Sequence, residues 1–137
     1  MAGPRLLIVD DDPRIGRLIG RIARQLGLAA EILVDDELVQ PVCEDFQPTV
    51  VIVDMVLGHR SGGDVIRSLS KLNPRLAPVL VLISGADPER MAAARTLASE
   101  LGIAVTASLP KPLDVGILTR ELRRAVAMAE GASFQVA

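Results

Sequence analysis

The sequence predicts an α/β domain in which an open parallel sheet carries helices on both faces. Five short apolar runs recur along the chain without strict alternation of apolar and polar residues, which is typical of strands buried on both faces. Stretches with helical periodicity lie between these runs. Strict alternation of strand and helix, repeated five times, favours right-handed crossovers and a doubly wound arrangement. The predicted strands cover residues 6–9, 31–34, 50–53, 79–83 and 103–108.

The predicted helices begin and end at residues that commonly cap helices. The first has Asp12 as its N-cap and Pro13 at its first position, and it ends at Gly27. The others start at Asp35 or Asp36, after Gly62–Gly63, at Asp87-Pro88 and at Asp114, and they end near 45, before Pro74, at Gly102 and near 130.

The chain length and the absence of linkers predict a single domain. A chain of 137 residues that is half hydrophobic can bury a substantial core, and it is short for two ordinary domains. We assign residues 1–130 to the domain and expect residues 131–137 to form a loose C-terminal tail.

Composition argues against several classes of partner. The net charge is −2, and Phe46 and Phe134 are the only aromatic residues, so the sequence predicts no direct contact with nucleic acid. The apolar run at 79–83 is far shorter than the ~20 residues of a membrane helix. Cys43 is the only cysteine, which excludes an internal disulfide and fits a reducing compartment. We therefore expect a cytoplasmic protein that does not bind membranes.

Polar side chains follow four of the five predicted strands, at the point where each strand ends. Asp10–Asp12 follow the first strand, Asp54 the third, Ser84-Gly85 the fourth and Lys111-Pro112 the fifth. Because ligands of open α/β sheets bind outside the carboxyl ends of the strands, we expect these residues to form one site.

These residue types suit phosphoryl transfer. Carboxylates this close repel one another unless a cation joins them, and their hard oxygen atoms favour Mg²⁺ or a similar ion. Phosphoryl transfer needs an oxygen nucleophile, a divalent cation and donors to the phosphoryl oxygens. Asp54 could supply the nucleophile, Ser84 a hydroxyl donor and Lys111 a positive charge. Each residue alone has an ordinary structural explanation, such as capping, a turn or surface charge, but the four groups together at strand ends favour a site.

The same segments resemble the receiver domains of bacterial response regulators, the phosphoacceptor domains of two-component signalling. Residues 6–13 (LLIVDDDP) resemble the opening of these domains, and residues 50–55 (VVIVDM) followed by Gly62 resemble their phosphoacceptor strand and loop. Residues 80–85 (LVLISG) resemble their Ser/Thr strand and residues 109–113 (LPKPL) their Lys-Pro turn. The resemblance extends from residue 5 to about residue 128.

The resemblance implies a five-stranded, flavodoxin-like sheet with strand order 2-1-3-4-5 and a magnesium site. In it Asp54 would be the phosphoacceptor and Asp11 a direct metal ligand. Asp10 would bind the metal through water, and the backbone carbonyl of Val56 would complete the protein ligands. Asp54 also counts among the metal ligands.

For the phosphoryl group, the resemblance implies contacts from Ser84 and Lys111 and a cis Lys111–Pro112 peptide bond. The donor would be the phosphohistidine of a sensor histidine kinase or of a histidine phosphotransfer protein, and a downstream effector protein or domain would read the signal. Such a domain catalyses only its own phosphorylation and dephosphorylation. The chain would be either a single-domain regulator or the receiver part of a larger protein.

Three positions depart from the common receiver pattern. Ser108 stands where many receivers carry a Tyr or Phe that reports activation, so this position cannot form the usual aromatic switch. Val56 and Ala86 stand where other receivers carry side chains that orient the attacking water, which predicts a long phosphoryl lifetime. His59, the only histidine, is expected in an exposed loop.

Two other functions compete with the receiver hypothesis. A phosphatase resembling the haloacid dehalogenases would use Asp10 as nucleophile, but Arg14 stands where Thr or Val is usual, no acidic pair follows Lys111, and Asp54 would have no role. An interaction module could instead have kept the fold and lost the chemistry. The complete set of carboxylates, hydroxyl and lysine argues against that alternative.

Overall fold

A computed structural model describes residues 3–57, 60–85 and 87–136, with residues 56, 57, 60, 61, 84 and 132–136 described by their backbone alone. The expectations for His59 and Ala86 therefore lie outside the described residues.

The predicted parallel sheet is confirmed. Five parallel strands form it in the order β2-β1-β3-β6-β7, which is the order 2-1-3-4-5 when only the strands of this sheet are numbered. Two short strands, β4 and β5, form a separate antiparallel pair. The strands are β1 (Arg5–Val9), β2 (Ala29–Leu33), β3 (Val50–Asp54), β4 (Val56–Leu57), β5 (Arg60–Ser61), β6 (Val79–Ser84) and β7 (Val105–Pro110).

Five α-helices connect or follow the strands of the main sheet: α1 (Pro13–Gln25), α2 (Val39–Phe46), α3 (Gly62–Ser70), α4 (Pro88–Glu100) and α5 (Val115–Val136). The N-cap prediction for α1 is confirmed, since the Asp12 side chain accepts a hydrogen bond from the Arg14 amide at 2.9 Å. Beyond the end of α1, Gly27 has a φ of 85°, a conformation that favours glycine after a helix.

Helix α5 continues through Val136, whereas the sequence predicted its end near Glu130 and a loose tail from Gly131. A glycine inside a helix costs only about 1 kcal/mol relative to alanine, and no proline follows it, so Gly131 is a weak helix terminator. The assignment of a domain boundary at residue 130 remains a prediction. Within the described residues, no helix combines the length and the apolar character that a membrane crossing requires.

The core lies on both faces of the sheet, as expected for a doubly wound domain. Alternate residues of each central strand point to opposite faces, so that Leu7 and Val9 of β1 pack on one side while Leu6 and Ile8 pack on the other. The first face is covered by α2, α3 and α4, and the second by α1 and α5. All four of these side chains are fully buried, which is why the strand reads as a continuous apolar run.

Two local features were not predicted. The strands β4 and β5 pair Val56 with Ser61 and Leu57 with Arg60, and they fill part of the loop after Asp54. In β7 the register shifts by one residue at Thr106, an irregularity of the kind common in edge strands. The strand spans Val105–Pro110, two residues later than the predicted span of 103–108.

Candidate functional site

The buried carboxylates of the candidate site sit at the ends of two neighbouring strands. Asp54 is the last residue of β3, and Asp10 directly follows β1, its amide donating to the Leu33 carbonyl at 3.2 Å. Because β1 and β3 pair in parallel register, both carboxylates lie at the same edge of the sheet. Asp10 is 1% exposed and Asp54 is 2% exposed.

Asp10, Asp11 and Asp54 form a cluster, as the sequence predicted. Each offers a carboxylate oxygen, and these oxygens all lie within 4.8 Å of one another. Asp11 is exposed, so the cluster opens toward solvent on one side. Three hard oxygen donors converging on one point match the ligand preference of Mg²⁺, which typically uses one or two carboxylates together with waters.

The environment of Asp10 supports this fit. Its Oδ1 accepts a hydrogen bond from the Asp12 amide at 2.8 Å, but its buried Oδ2 has no hydrogen-bond partner. The pKa of Asp10 is raised to about 6, chiefly by burial and also by the nearby charge of Asp54, while the hydrogen bond from the Asp12 amide acts in the opposite direction. A buried acceptor without a donor is costly, and a cation beside it would remove that cost.

Lys111 comes from the loop after β7 and reaches the same cluster. Its Nζ donates a hydrogen bond to Asp54 Oδ2 at 2.6 Å, and its side chain is 29% exposed, against 3% for that of Asp54. Burial lowers the pKa of Lys111, but the hydrogen bond and charge of Asp54 outweigh that effect and leave it raised. The lysine therefore remains a cation beside the Asp54 carboxylate. The Lys111–Pro112 peptide bond is cis, as the resemblance implied.

Ser84 and Val56 are placed by their backbones. Ser84 ends β6 beside Pro110 of β7, one residue beyond the pairing of Asp54 with Ile83, so it lies at the same sheet edge. Val56 opens β4, two residues after Asp54. The predicted role of the Ser84 hydroxyl and of the Val56 carbonyl remains a prediction.

Two contacts at this edge were missed from the sequence. Asp12 has two roles: its side chain caps α1, and its amide donates a hydrogen bond to Asp10 Oδ1, two residues earlier, which orients that carboxylate. Arg95 of α4 donates a hydrogen bond to the Ser108 hydroxyl, the position that lacks the usual aromatic residue. No local pattern could have predicted this second contact, because it joins two different elements.

Comparisons with known proteins agree with this geometry. No protein-family model matches the sequence. The chain is 29% identical over 87 residues to a probable transcriptional regulatory protein of Mycobacterium tuberculosis, TcrX. The matched part is 64% of this chain but 37% of that protein, so the chain spans well under half of that relative's length.

Among solved structures, the similar chains are mostly signal receiver domains. The receiver domain of a response regulator from Bermanella marisrubri has a TM-score of 0.74 at 26% identity, with 89% of this chain and 97% of that chain covered. A CheY-like response-regulator receiver protein from Methanospirillum hungatei has a TM-score of 0.80 at 21% identity, with 96% and 99% covered. The resemblance predicted from the sequence motifs is thus confirmed.

Proposed function

We propose that this chain, which is a receiver domain of the response-regulator type by fold and resemblance, accepts a phosphoryl group on Asp54. The donor is the phosphohistidine of a sensor histidine kinase or a histidine phosphotransfer protein. The reaction depends on Mg²⁺ and changes which partners the domain binds.

One observation carries this proposal: a lysine ammonium and a cluster of carboxylates meet at Asp54. Lys111 Nζ lies 2.6 Å from Asp54 Oδ2, and the oxygens of Asp10 and Asp11 lie within 4.8 Å of an Asp54 oxygen. Folding alone does not favour two carboxylates buried side by side, since desolvation and mutual repulsion both act against their charged forms. A divalent cation would be held by these carboxylates, and a phosphoryl group on Asp54 would pair with Lys111.

The chain's own residues would divide the chemistry as follows. A carboxylate oxygen of Asp54 attacks phosphorus, the new O–P bond forms, and the P–N bond to the donor imidazole breaks. The electron pair of that bond returns to the imidazole nitrogen. The ring leaves as neutral imidazole when its other nitrogen carries a proton, and otherwise it takes up a proton from solvent. Lys111 then balances the negative charge of the acyl phosphate. Mg²⁺, held by Asp10, Asp11, Asp54 and the Val56 carbonyl, would neutralise charge on the phosphoryl oxygens.

The domain would therefore act as a signalling phosphoacceptor and not as an enzyme that turns over a separate substrate. Positioning and electrostatics supply most of the catalysis in phosphoryl transfer, and the carboxylate cluster and Lys111 would supply both at Asp54. We place it in the cytoplasm with its phosphodonor and a downstream effector protein or domain, without direct contact to nucleic acid or membrane.

Phosphorylation by acetyl phosphate in the presence and absence of Mg²⁺ tests the proposal. We expect a Mg²⁺-dependent mass gain of one phosphoryl group that Asp54→Asn abolishes and Glu37→Gln, a change in an exposed acidic residue outside the cluster, leaves intact. A mass gain abolished by Asp10→Asn but retained by Asp54→Asn would indicate the phosphatase chemistry instead. No mass gain in the parent protein, with acetyl phosphate and with a phosphohistidine donor, would indicate an interaction module.

A further inference from the structure

Met55 connects the phosphoacceptor to the residue proposed to bind the metal through its carbonyl. It lies between Asp54 and Val56, and its backbone is held on both sides: its amide donates to the Ile83 carbonyl at 2.8 Å, and its carbonyl accepts from the Gly62 amide at 3.2 Å. Its side chain is buried, at 6% exposed, and packs in the core on the α2–α3–α4 face. Met55 thus has little freedom to move without moving its two neighbours.

Gly62, the first residue of α3, lies so close to Met55 that any side chain at position 62 would force Met55 to shift. A Cβ atom at position 62 would lie 2.5 Å from Sδ, 2.8 Å from Cε and 3.1 Å from Cα of Met55. The first two distances are shorter than real Cβ contacts. The third involves backbone, which cannot rotate away as a side chain could. Since Met55 is buried, even its flexible thioether has little space into which it could retreat.

We infer that Gly62 is a positioning residue for the divalent-cation site, because its missing side chain lets Met55 hold the Val56 carbonyl in place relative to Asp54. This inference rests on the proposed function. A side chain at position 62 would press on the Met55 side chain and Cα, and a shift of Met55 displaces the peptide unit that carries the Val56 carbonyl. Loss of groups that orient metal ligands typically weakens metal binding by 10–100-fold.

Gly62 also differs from glycines that serve only packing. Gly16 of α1 would meet Ile32 Cγ2 at 2.9 Å if it carried a Cβ, so Gly16→Ala introduces a comparable clash at the α1–β2 contact. That clash strikes no residue of the carboxylate cluster. Gly16→Ala is therefore a matched control that lowers stability without displacing Met55 or the Val56 carbonyl.

The experiment is a Mg²⁺ titration, followed by calorimetry or by NMR chemical shifts, of the parent protein, Gly62→Ala, Gly16→Ala and the double variant Gly62→Ala/Met55→Ala. We expect Gly62→Ala to raise the Kd for Mg²⁺ about tenfold or more. The double variant should recover most of the affinity, since it removes the Sδ and Cε atoms that the new methyl group would strike. Gly16→Ala should keep the parent Kd, whatever its melting temperature.

Each result separates positioning from stability. A Kd for Gly62→Ala within twofold of the parent, or equal losses of affinity in Gly62→Ala and Gly16→Ala, would overturn the inference while leaving the proposed function intact. A parent protein that binds no Mg²⁺ would overturn both. If Gly62→Ala does not fold in buffer alone, the titrations of Gly62→Ala, Gly16→Ala and the parent are repeated in a stabilising osmolyte: a Kd raised about tenfold in Gly62→Ala alone supports the inference, and equal Kd values in the three proteins contradict it.

Discussion

The two edges of the sheet present opposite environments. At the carboxyl edge, Asp10 and Asp54 are almost fully buried, and Lys111 is ion-paired with one of them. At the amino edge, a groove of about 780 Å³ lies between the loops before β6 and β7 and the far part of α5, and its lining is mostly apolar, with Arg75 as the single charged residue. Two carboxylates of one edge are thus buried, whereas the apolar groups of the other edge are partly exposed.

This difference locates function more firmly than any single residue does. An apolar groove at a domain surface costs little free energy of folding, because monomeric proteins commonly expose apolar patches of moderate size. Buried carboxylates, in contrast, lose hydration and repel one another, so a fold optimised for stability alone would replace them. The carboxyl edge is therefore destabilising in the absence of a cation. The predictions below test that asymmetry, beginning with the largest expected effect.

Asp10 should destabilise the metal-free protein above about pH 6. Its pKa is raised to about 6 in the folded protein from 3.8, so between these values the folded state keeps a proton that the unfolded state has lost. The free energy of unfolding then falls as the pH rises, and the loss is complete above the folded pKa. Since one pKa unit corresponds to about 1.36 kcal/mol, the loss amounts to about 3 kcal/mol.

Asp10→Asn removes this titration. In chelator, we expect the variant to match the parent near pH 4 and to exceed it by up to about 3 kcal/mol at neutral pH, as measured by urea unfolding across the pH range. Parallel stability profiles for the two proteins would show that Asp10 titrates normally and that the carboxyl edge carries no such strain.

Magnesium should reverse this effect and stabilise the fold. A ligand that binds only the folded state stabilises it by RT ln(1 + [L]/Kd), or about 2.7 kcal/mol at a concentration of 100 Kd. Asp11→Ala should remove most of the gain, because Asp11 contributes one of the three clustered carboxylate oxygens. Thermal melts of the parent and of Asp11→Ala, in chelator and in millimolar Mg²⁺, measure the stabilisation by Mg²⁺ and its loss in the variant. A parent melting temperature that ignores Mg²⁺ would contradict the proposed site.

The sequence predicted the sheet well because its strands are buried on both faces. Such strands read as plain apolar runs, and each was found, but three strand ends were missed: Asp54, Ser84 and Pro110 continue the ladder beyond the predicted spans. The pair β4–β5 was not predicted, since two strands of two residues carry no periodicity. Hydrogen bonds, which set these boundaries, leave little trace in side-chain polarity.

The site was predicted in its members but not in its contacts. Strand order brings Asp10, Asp54 and Lys111 to one edge, and the position of each residue at or shortly after the end of a predicted strand was visible in the sequence. The contact between Lys111 and Asp54 joins residues 57 positions apart, and the orphaned Oδ2 of Asp10 depends on which donors the folded chain leaves within reach. The tight approach of Gly62 to Met55 likewise exists only after α3 has packed.

Breaking the buried ion pair should cost more than breaking an exposed one. Lys111→Met keeps most of the side-chain stem but leaves Asp54 without its lysine. Breaking a buried pair costs about 3–5 kcal/mol, and the 29% exposure of Lys111 reduces the expected loss to about 2 kcal/mol. The matched control is Arg67→Met, which breaks the 3.3 Å ion pair between Arg67 and Asp64. The side chains of these two residues are 59% and 37% exposed, respectively.

Exposed pairs of this kind contribute about 0–1 kcal/mol. Both variants are measured by urea unfolding in chelator, so that no cation replaces the lost lysine. Equal losses in the two variants would mean that solvent screens the carboxyl edge as thoroughly as it screens the surface of α3. The contrast between buried and exposed charges would then not hold for this protein.

The smallest effect is expected at the amino edge, where Met128 is 45% exposed and lines the apolar groove. Met128→Gln introduces no charge and should change the free energy of unfolding by no more than about 0.5 kcal/mol, as is usual for surface substitutions. The strands that separate the two edges have five or six residues, or roughly 17–20 Å at about 3.3 Å per residue, so a neutral change at one end has no direct field at the other. Mg²⁺ affinity and labelling of Asp54 by acetyl phosphate should therefore equal those of the parent, while Asp11→Ala, tested in parallel, shows that the assays can detect a damaged site.

A Met128→Gln protein that folds normally but binds Mg²⁺ or accepts phosphate differently would mean that the two edges are coupled through the packed strands and α5. The groove would then be a regulatory surface, and the division of the molecule into a chemical edge and an inert edge would fail.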